Sequence, residues 1–290
     1  ISVVATIFPP WDFVRAIAGI SGDGGAAESG VELTMLLKPG SESHSYEPSP
    51  QDIIAIQNCD VFIYVGGESD EWVDRVLDSM DTSRMKIISL MDCVEVVEEE
   101  IVEGMEEEEE EEEGPAYDEH VWTSPRNASL IVQKISGALC EADPNRAALY
   151  QANTAAYQKE LDALDGTFRE ITGGAARRTL IFGDRFPFRY FTDAYGLDYY
   201  AAFPGCSTET ECSAATLAFL INKVKAEKIP VVFHIEFSNG KIADAVAEGS
   251  GAEKRLLHSV HNVSRDELAS GASYLGLMKQ NAETLRATLR

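Results

Sequence analysis

The chain is predicted to fold as an α/β protein of two Rossmann-like lobes joined by one long backbone helix. Three observations predict it. Short β-branched, apolar runs alternate with helix-compatible stretches, the pattern of a parallel sheet covered on both faces. The stretch from Pro144 to Gly173 holds no further proline before its terminal glycines, and its one interior glycine is Gly166. Along it, Tyr150, Tyr157, Leu161, Leu164, Phe168 and Ile171 recur at steps of seven, four, three, four and three, laying one apolar stripe on a helix. At 1.5 Å per residue such a helix is about 45 Å long. Its two flanks look alike, each an α/β unit carrying histidines. The expected boundaries are therefore residues 1–142 for the first lobe, 143–173 for the linking helix and 174–290 for the second lobe.

Taken in order, Ile1 to Phe8 is a buried strand that Pro9-Pro10 break, and Trp11 to Gly19 is helical. Val31 to Leu37 is a second strand, leading into a polar loop with prolines at 39, 48 and 50. Gln51 to Asn58 is a helix, Val61 to Val65 a strand, Glu71 to Ser79 a helix and Lys86 to Leu90 a strand. A glutamate tract follows, and self-repulsion predicts a mobile loop over 95–114. Asn127 to Leu139 is a helix that closes the first half. Asp143 can cap the long helix, Pro144 suits its first position, and Gly173-Gly174 stop it. Beyond it the pattern restarts. Strands are predicted at 179–182, 199–203, 231–237 and 255–257, and helices at 188–195, 214–227 and 241–248. One or two helices over 264–289 end the chain.

The formal charge of −25 excludes a nucleic-acid binder, because a phosphate backbone would be repelled. Thirteen glutamates lie between Glu95 and Glu113, which leaves about −12 on the rest, ordinary for a soluble protein. An apolar content of 44% is enough for genuine cores. Five cysteines form no CxxC pair, so a zinc-finger or thioredoxin reading fails. Cys206 and Cys212 are near enough in sequence to pair; the alternative is that the cysteines serve as small hydrophobes. No segment approaches transmembrane length. The chain starts in a strand without an initiator Met, which is compatible with a trimmed export signal or lipid-anchor leader.

The chemistry is carried by histidine. There are five, at 44, 120, 234, 258 and 261. His44 follows the second strand, His120 lies just past the acidic tract, and His258 closes the last strand. Ligands bind at such carboxyl ends in open α/β sheets. Imidazole is the commonest ligand for a borderline metal, and added carboxylates shift a site towards manganese. His234 and Glu236 are expected to share one face of a strand. His234 is read as a buried, paired residue and His261 as a surface residue in a turn.

The residues around these histidines add a resemblance. Pro39 to Pro50 reads PGSESHSYEPSP, and Asp118 to Ala128 reads DEHVWTSPRNA. Phe188-Arg189-Tyr190-Phe191 with Tyr195-Gly196-Leu197, then Val232 to Ser238 and Leu257-His258-Ser259, follow more loosely. In these pieces the chain resembles the metal-specific solute-binding proteins of zinc and manganese ABC transporters, over nearly its whole length. The resemblance implies two α/β lobes on a backbone helix with the metal between them, and one ligand from each of four segments. His44 and His120 match the first two ligands, and His258 stands where manganese-type members usually place an aspartate. At the third segment a histidine or glutamate is expected where this chain has Arg185, a guanidinium that stays protonated and cannot ligate. Either Asp184 takes that place or water completes a three-histidine site while Arg185 pairs with an acid. Glu236 matches a carboxylate common in the family, a hydrogen-bond acceptor behind the ligands. Glu47, Tyr46 and Trp122 are candidates to wall the site or orient an imidazole through its second nitrogen.

The function expected on this reading is capture of Zn²⁺, with Mn²⁺ second, in the interlobe cleft and delivery to an ABC permease. No reaction is catalysed. The protein would act outside the cytoplasm, as a cell-surface lipoprotein or in the periplasm, and as a monomer. The acidic tract would concentrate cations electrostatically. Two other classes stand beside it. A metallohydrolase would use a metal-bound water with Glu236 or Glu47 as base, but no HExxH or comparable compact motif is present. An adhesin or scaffold would use the metal only for stability.

Overall fold

A computed structural model of the chain describes residues 1–20, 29–42, 46–105, 116–207 and 211–290. The chain divides into two compact units. The first comprises Ile1–Val96, Pro125–Asp165 and Val260–Leu277, and the second Val97–Ser124, Gly166–Ser259 and Met278–Arg290.

The first unit is built on a parallel sheet of β1 (Ser2–Ala5), β2 (Glu32–Met35), β3 (Val61–Tyr64) and β4 (Lys86–Ser89), in the order β2-β1-β3-β4. The registers Val3↔Leu33, Val3↔Val61 and Val61↔Lys86 fix it. Its helices are α1 (Phe8–Ala18), α2 (Pro50–Gln57), α3 (Glu71–Asp78) and α4 (Pro125–Ala142). Val4, Leu36, Ile56, Phe62, Trp72 and Val73 form the core on one side of the sheet. The prolines at 9 and 10, expected to precede the first helix, lie in its first turn. Those positions have no intrahelical acceptor for an N–H, so losing the donor costs nothing there. α2 starts with a capping box in which Ser49 and Asp52 satisfy each other's backbone N–H groups.

The long helix, α5, runs Ala147–Gly173 after a 3-10 turn at Pro144–Arg146. All six stripe residues from Tyr150 to Ile171 are buried. Within the first unit Tyr157 meets Phe13 edge-on, and within the second Phe168 meets Phe191 edge-on. Asp143 does not cap the helix through its side chain. Its carboxylate instead accepts from Arg146 (3.0 Å) and from the Tyr150 hydroxyl (3.2 Å).

The second unit repeats the strand order of the first. β5 (Thr179–Arg185), β6 (Asp198–Phe203), β7 (Val231–His234) and β8 (Glu253–Leu256) form a parallel sheet in the order β6-β5-β7-β8. Its helices are α6 (Arg189–Tyr195), α7 (Ala214–Glu227) and α8 (Lys241–Ser250). Two more helices follow, α9 (Arg265–Ala269) in the first unit and α10 (Tyr274–Thr288), which begins there and ends in the second. Ile181, Leu220, Val224, Val232 and Val246 lie in the core of the second unit. The register of β5 on β6 shifts between Phe182 and Arg185. At that irregularity Gly183 faces α8 so closely that a Cβ would stand 2.4 Å from the Cα of Ala243. A register irregularity of this kind re-aims the side chains that follow it, here Asp184 and Arg185.

β7 is shorter than the sequence predicts. It ends at His234, and Glu236 lies in the turn beyond it. The expected shared strand face of His234 and Glu236 therefore does not form. Phe237 in that turn adopts a φ of 59°, a conformation that ends an extended strand.

Candidate metal centre

Each sheet reverses its order between its first and third strands, and in such folds ligands gather beyond the carboxyl ends of those strands. In the second unit those ends carry Asp184 from β5 and the turn Ile235–Ser238 from β7, with His258 just past β8. The two strand ends are tied together. Asp184 Oδ2 accepts from the backbone N–H of Ile235 (3.2 Å), and its Oδ1 from that of Arg185 (2.9 Å). Burial raises the Asp184 pKa, against hydrogen bonds from Ser238, Arg185 and Ile235.

His258 is buried in the loop after β8, and its backbone is fixed at both ends. Its N–H donates to Asn281 Oδ1 (2.9 Å), and its carbonyl accepts from Asn281 Nδ2 (2.7 Å). One residue on, Ser259 donates to Glu236 through its N–H (2.7 Å) and its hydroxyl (2.6 Å). The same carboxylate stands 3.4 Å from His258 Nδ1. Glu236 thus holds both the imidazole and the chain beside it.

His120 is also buried, in the segment after the acidic tract. Asp118 Oδ1 accepts from its backbone N–H (2.8 Å) and lies 3.1 Å from its Nδ1. Burial works against the imidazolium, but Asp118 above all, with Glu119 and Glu99, outweighs it and raises the His120 pKa. Trp122, fully buried, sets its ring 5.4 Å from that of His120 and donates from Nε1 to the Ser259 carbonyl at 2.9 Å. The two histidine segments are thereby joined by a direct bond. Each imidazole meets a carboxylate at Nδ1, the arrangement that orients a metal-binding histidine and strengthens its other nitrogen as a donor.

The foot of the acidic tract belongs to the same unit. Glu98 and Tyr117 form an antiparallel bridge, flanked by bonds from Glu99 N to Ala116 O (2.9 Å) and Asp118 N to Val97 O (3.0 Å). Glu99 accepts from the N–H of Cys206 (2.7 Å), and Arg189 pairs with Glu100 at 3.3 Å. So the stretch expected to be a mobile loop over 95–114 begins as a paired stem. Residues 106–115 lie outside the described residues.

His44 also lies outside the described residues. Glu47 is exposed in the first unit, and neighbouring Tyr46 packs edge-on against Trp72. Arg185 donates to the Ser207 carbonyl at 3.3 Å. His234 is half-buried, with its Nδ1 3.0 Å from the Ile235 carbonyl. His261 is half-buried too. All five cysteines are thiols, Cys59 buried and the others half-buried, so Cys206 and Cys212 form no disulfide. Among the described residues no three His, Cys, Asp or Glu side chains are grouped to hold a metal, and none of their helices is long and apolar enough to cross a membrane. The sequence reading missed Asp118, Ser259 and Asn281 as partners of the candidate ligands. Asp118 was within reach of it, as an acid two residues before a histidine; Ser259 and Asn281 carry no local signal.

Two four-stranded parallel sheets and a long helix give the α/β fold of solute-binding proteins, and in it two buried imidazoles each stand beside a carboxylate. The family model described as "Zinc-uptake complex component A periplasmic" matches residues 3–288, and the chain belongs to that family, one of binding proteins and not of enzymes. It is 31% identical over 290 residues to the high-affinity zinc uptake system protein ZnuA of Bacillus subtilis, covering 99% of this chain and 87% of that protein. It is 29% identical over 289 residues to the zinc-binding lipoprotein AdcA of Streptococcus pneumoniae, covering 99% of this chain. The chain spans only 56% of AdcA. The crystal structure of the Zn(II)-bound ZnuA-like domain of AdcA superposes with a TM-score of 0.79 at 26% identity, covering 99% of this chain and 98% of that one.

Proposed function

We propose that this chain captures Zn²⁺, in preference to Mn²⁺, outside the cytoplasm and delivers it to the membrane permease of an ABC uptake system. The metal is the cargo. His44, His120 and His258 donate imidazole nitrogens, and Asp184 or a water completes the shell. Three nitrogen donors match zinc better than manganese, which prefers more oxygen. The observation that carries the reading is the pair of buried imidazoles, each with a carboxylate at Nδ1, in a chain of a zinc-uptake family. The relatives that carry the names zinc-binding lipoprotein and zinc uptake protein support the same cargo; the first name supports a lipid anchor and the family description a periplasmic location.

The test is metal content of the purified protein, with zinc affinity measured by chelator competition. His44→Ala, His120→Ala and His258→Ala should each weaken zinc by more than about 100-fold, with the apo protein still folded. Asp184→Asn decides the fourth position: a comparable loss makes Asp184 a ligand, and an unchanged affinity leaves that place to water. Zinc binding that survives all three histidine substitutions overturns the proposal.

A further inference from the structure

Asp118 does more than neighbour His120. Its side chain accepts from the His120 backbone N–H at 2.8 Å and meets the ring Nδ1 at 3.1 Å, and both residues are almost wholly buried. The Asp118 backbone is held in turn. Its N–H donates to Val97 O at 3.0 Å, and its carbonyl accepts from the Tyr190 hydroxyl at 2.7 Å. That hydroxyl also accepts from the Val97 N–H at 3.3 Å. One phenol therefore bridges both strands of the acidic stem at the level of Asp118.

A second observation, independent of these bonds, concerns Gly205. A Cβ there would lie 3.1 Å from Asp118 Oδ2, 3.2 Å from His120 Cε1 and 2.9 Å from the Phe186 carbonyl. The φ of Gly205 is not in the left-handed region, so its backbone conformation does not require glycine. What requires it is the close approach of the Gly205 loop to the Phe186 carbonyl first, with the carboxylate–imidazole pair packed next to the same point. That loop is fixed by the bond from Cys206 N to Glu99 in the stem.

We propose that Asp118 is the positioning residue of this site: its carboxylate holds Nδ1 of His120 as the N–H nitrogen and so commits Nε2 to the metal, with Tyr190 and Gly205 keeping the pair in place. The inference rests on His120 being a zinc ligand. A carboxylate behind a ligating imidazole fixes tautomer and ring orientation and raises donor strength, and its loss typically weakens metal 10- to 100-fold. The stem of the acidic tract is thus the mount on which one ligand is set.

The experiment measures zinc affinity by chelator competition for the unaltered chain and for His120→Ala, Asp118→Asn, Gly205→Ala and Tyr190→Phe, with apo thermal melting for each. Asparagine keeps an acceptor for the backbone N–H and removes the charge. Asp118→Asn should bind zinc about 10- to 100-fold more weakly. Gly205→Ala crowds the Phe186 carbonyl as well as the pair, so it should weaken zinc together with apo stability. If Asp118→Asn does not fold, Asp118→Glu, which keeps the charge and moves it, should weaken zinc in its place. Tyr190→Phe should lose less, a few-fold. In ¹⁵N-histidine spectra of the zinc-loaded protein, His120 should coordinate through Nε2 with a proton on Nδ1. A purely structural role for Asp118 would not set that signature. If His120→Ala abolishes binding while Asp118→Asn and Gly205→Ala leave it unchanged, or if His120 coordinates through Nδ1, the inference is overturned and the ligand set stands. An unaffected His120→Ala overturns the ligand set, and this inference with it.

Discussion

Trp122 donates its indole N–H to the carbonyl of Ser259, so the residue two past His120 holds the residue one past His258. The two histidines lie 138 positions apart in sequence, and this bond links their loops directly. Trp122→Phe keeps most of the buried ring and deletes the donor, leaving the Ser259 carbonyl short of a partner. Stability should fall by about 1–2 kcal/mol, read by urea denaturation of the apo protein. Zinc affinity should fall with it. An affinity equal to that of the unaltered chain would show that the two loops are set independently.

Glu236 gives a sharper case, because it accepts two hydrogen bonds from one serine. Glu236→Gln turns one of its two acceptor oxygens into an amide donor that faces another donor. The apo protein should lose about 1–3 kcal/mol, and zinc affinity should drop about tenfold or more. Ser259→Ala, which removes only the hydroxyl donor, should cost less on both measures. The reverse ranking would refute the assignment of Glu236 as the clamp.

Asp70, in the first unit, provides a pH test. Its carboxylate accepts from the N–H groups of Val65 (2.7 Å) and Gly66 (3.1 Å) just past β3. Burial nevertheless pushes its pKa from 3.8 up to about 6, against those bonds. A folded-state pKa above the unfolded one means that this group's contribution to stability is complete below about pH 4 and is lost as pH rises through 6. Between pH 4 and pH 7 the unaltered chain should therefore lose up to about 3 kcal/mol relative to Asp70→Asn. Urea midpoints at four pH values across that range measure it, and a difference that does not vary with pH rules it out.

Two glycine-to-alanine substitutions should have opposite signs. At Gly183 the added methyl would strike the backbone of Ala243, which cannot swing aside as a side chain can. Gly183→Ala should destabilise by about 1–3 kcal/mol or more. Gly166 is exposed inside α5, with nothing within 4 Å of an added Cβ. Gly166→Ala should stabilise by about 0.5–1 kcal/mol through helix propensity. Melting temperatures of the two variants decide both signs in one experiment.

Much of the fold is legible in the residues themselves. Among the described residues all eight strands fall within or beside the runs predicted for them. β1, β3, β5 and β7 do so because a strand buried in a parallel sheet must be apolar along its length, whereas the exposed edge strand β8, Glu253–Leu256, is mostly charged and only its end is predicted. The stripe from Tyr150 to Ile171 is legible because its spacing is that of a helix face. The ends of elements are less so. Pro9 and Pro10 look like breakers and serve as a helix start, and the run Val231 to Phe237 reads as one strand although its last residues form a turn. In each case local composition allows two backbone paths, and packing selects one.

At the candidate site, His120 stands out as a rare residue just past the acidic tract and His258 as one that closes a predicted strand, and their surroundings do not. That Asp118 turns back on His120, that Gly205 must lack a side chain, and that Asn281 brackets His258 depend on contacts between distant segments. Residue type, periodicity and spacing determined the α/β class and the long helix, since those properties are written along one strand or one helix face. The resemblance carried by Pro39 to Pro50, Asp118 to Ala128 and Leu257-His258-Ser259 singled out His44, His120 and His258. Which carboxylate meets which imidazole was decided only by the tertiary structure, because a hydrogen bond between distant segments is set by distance in space, and the order of residues along the chain does not encode that distance locally.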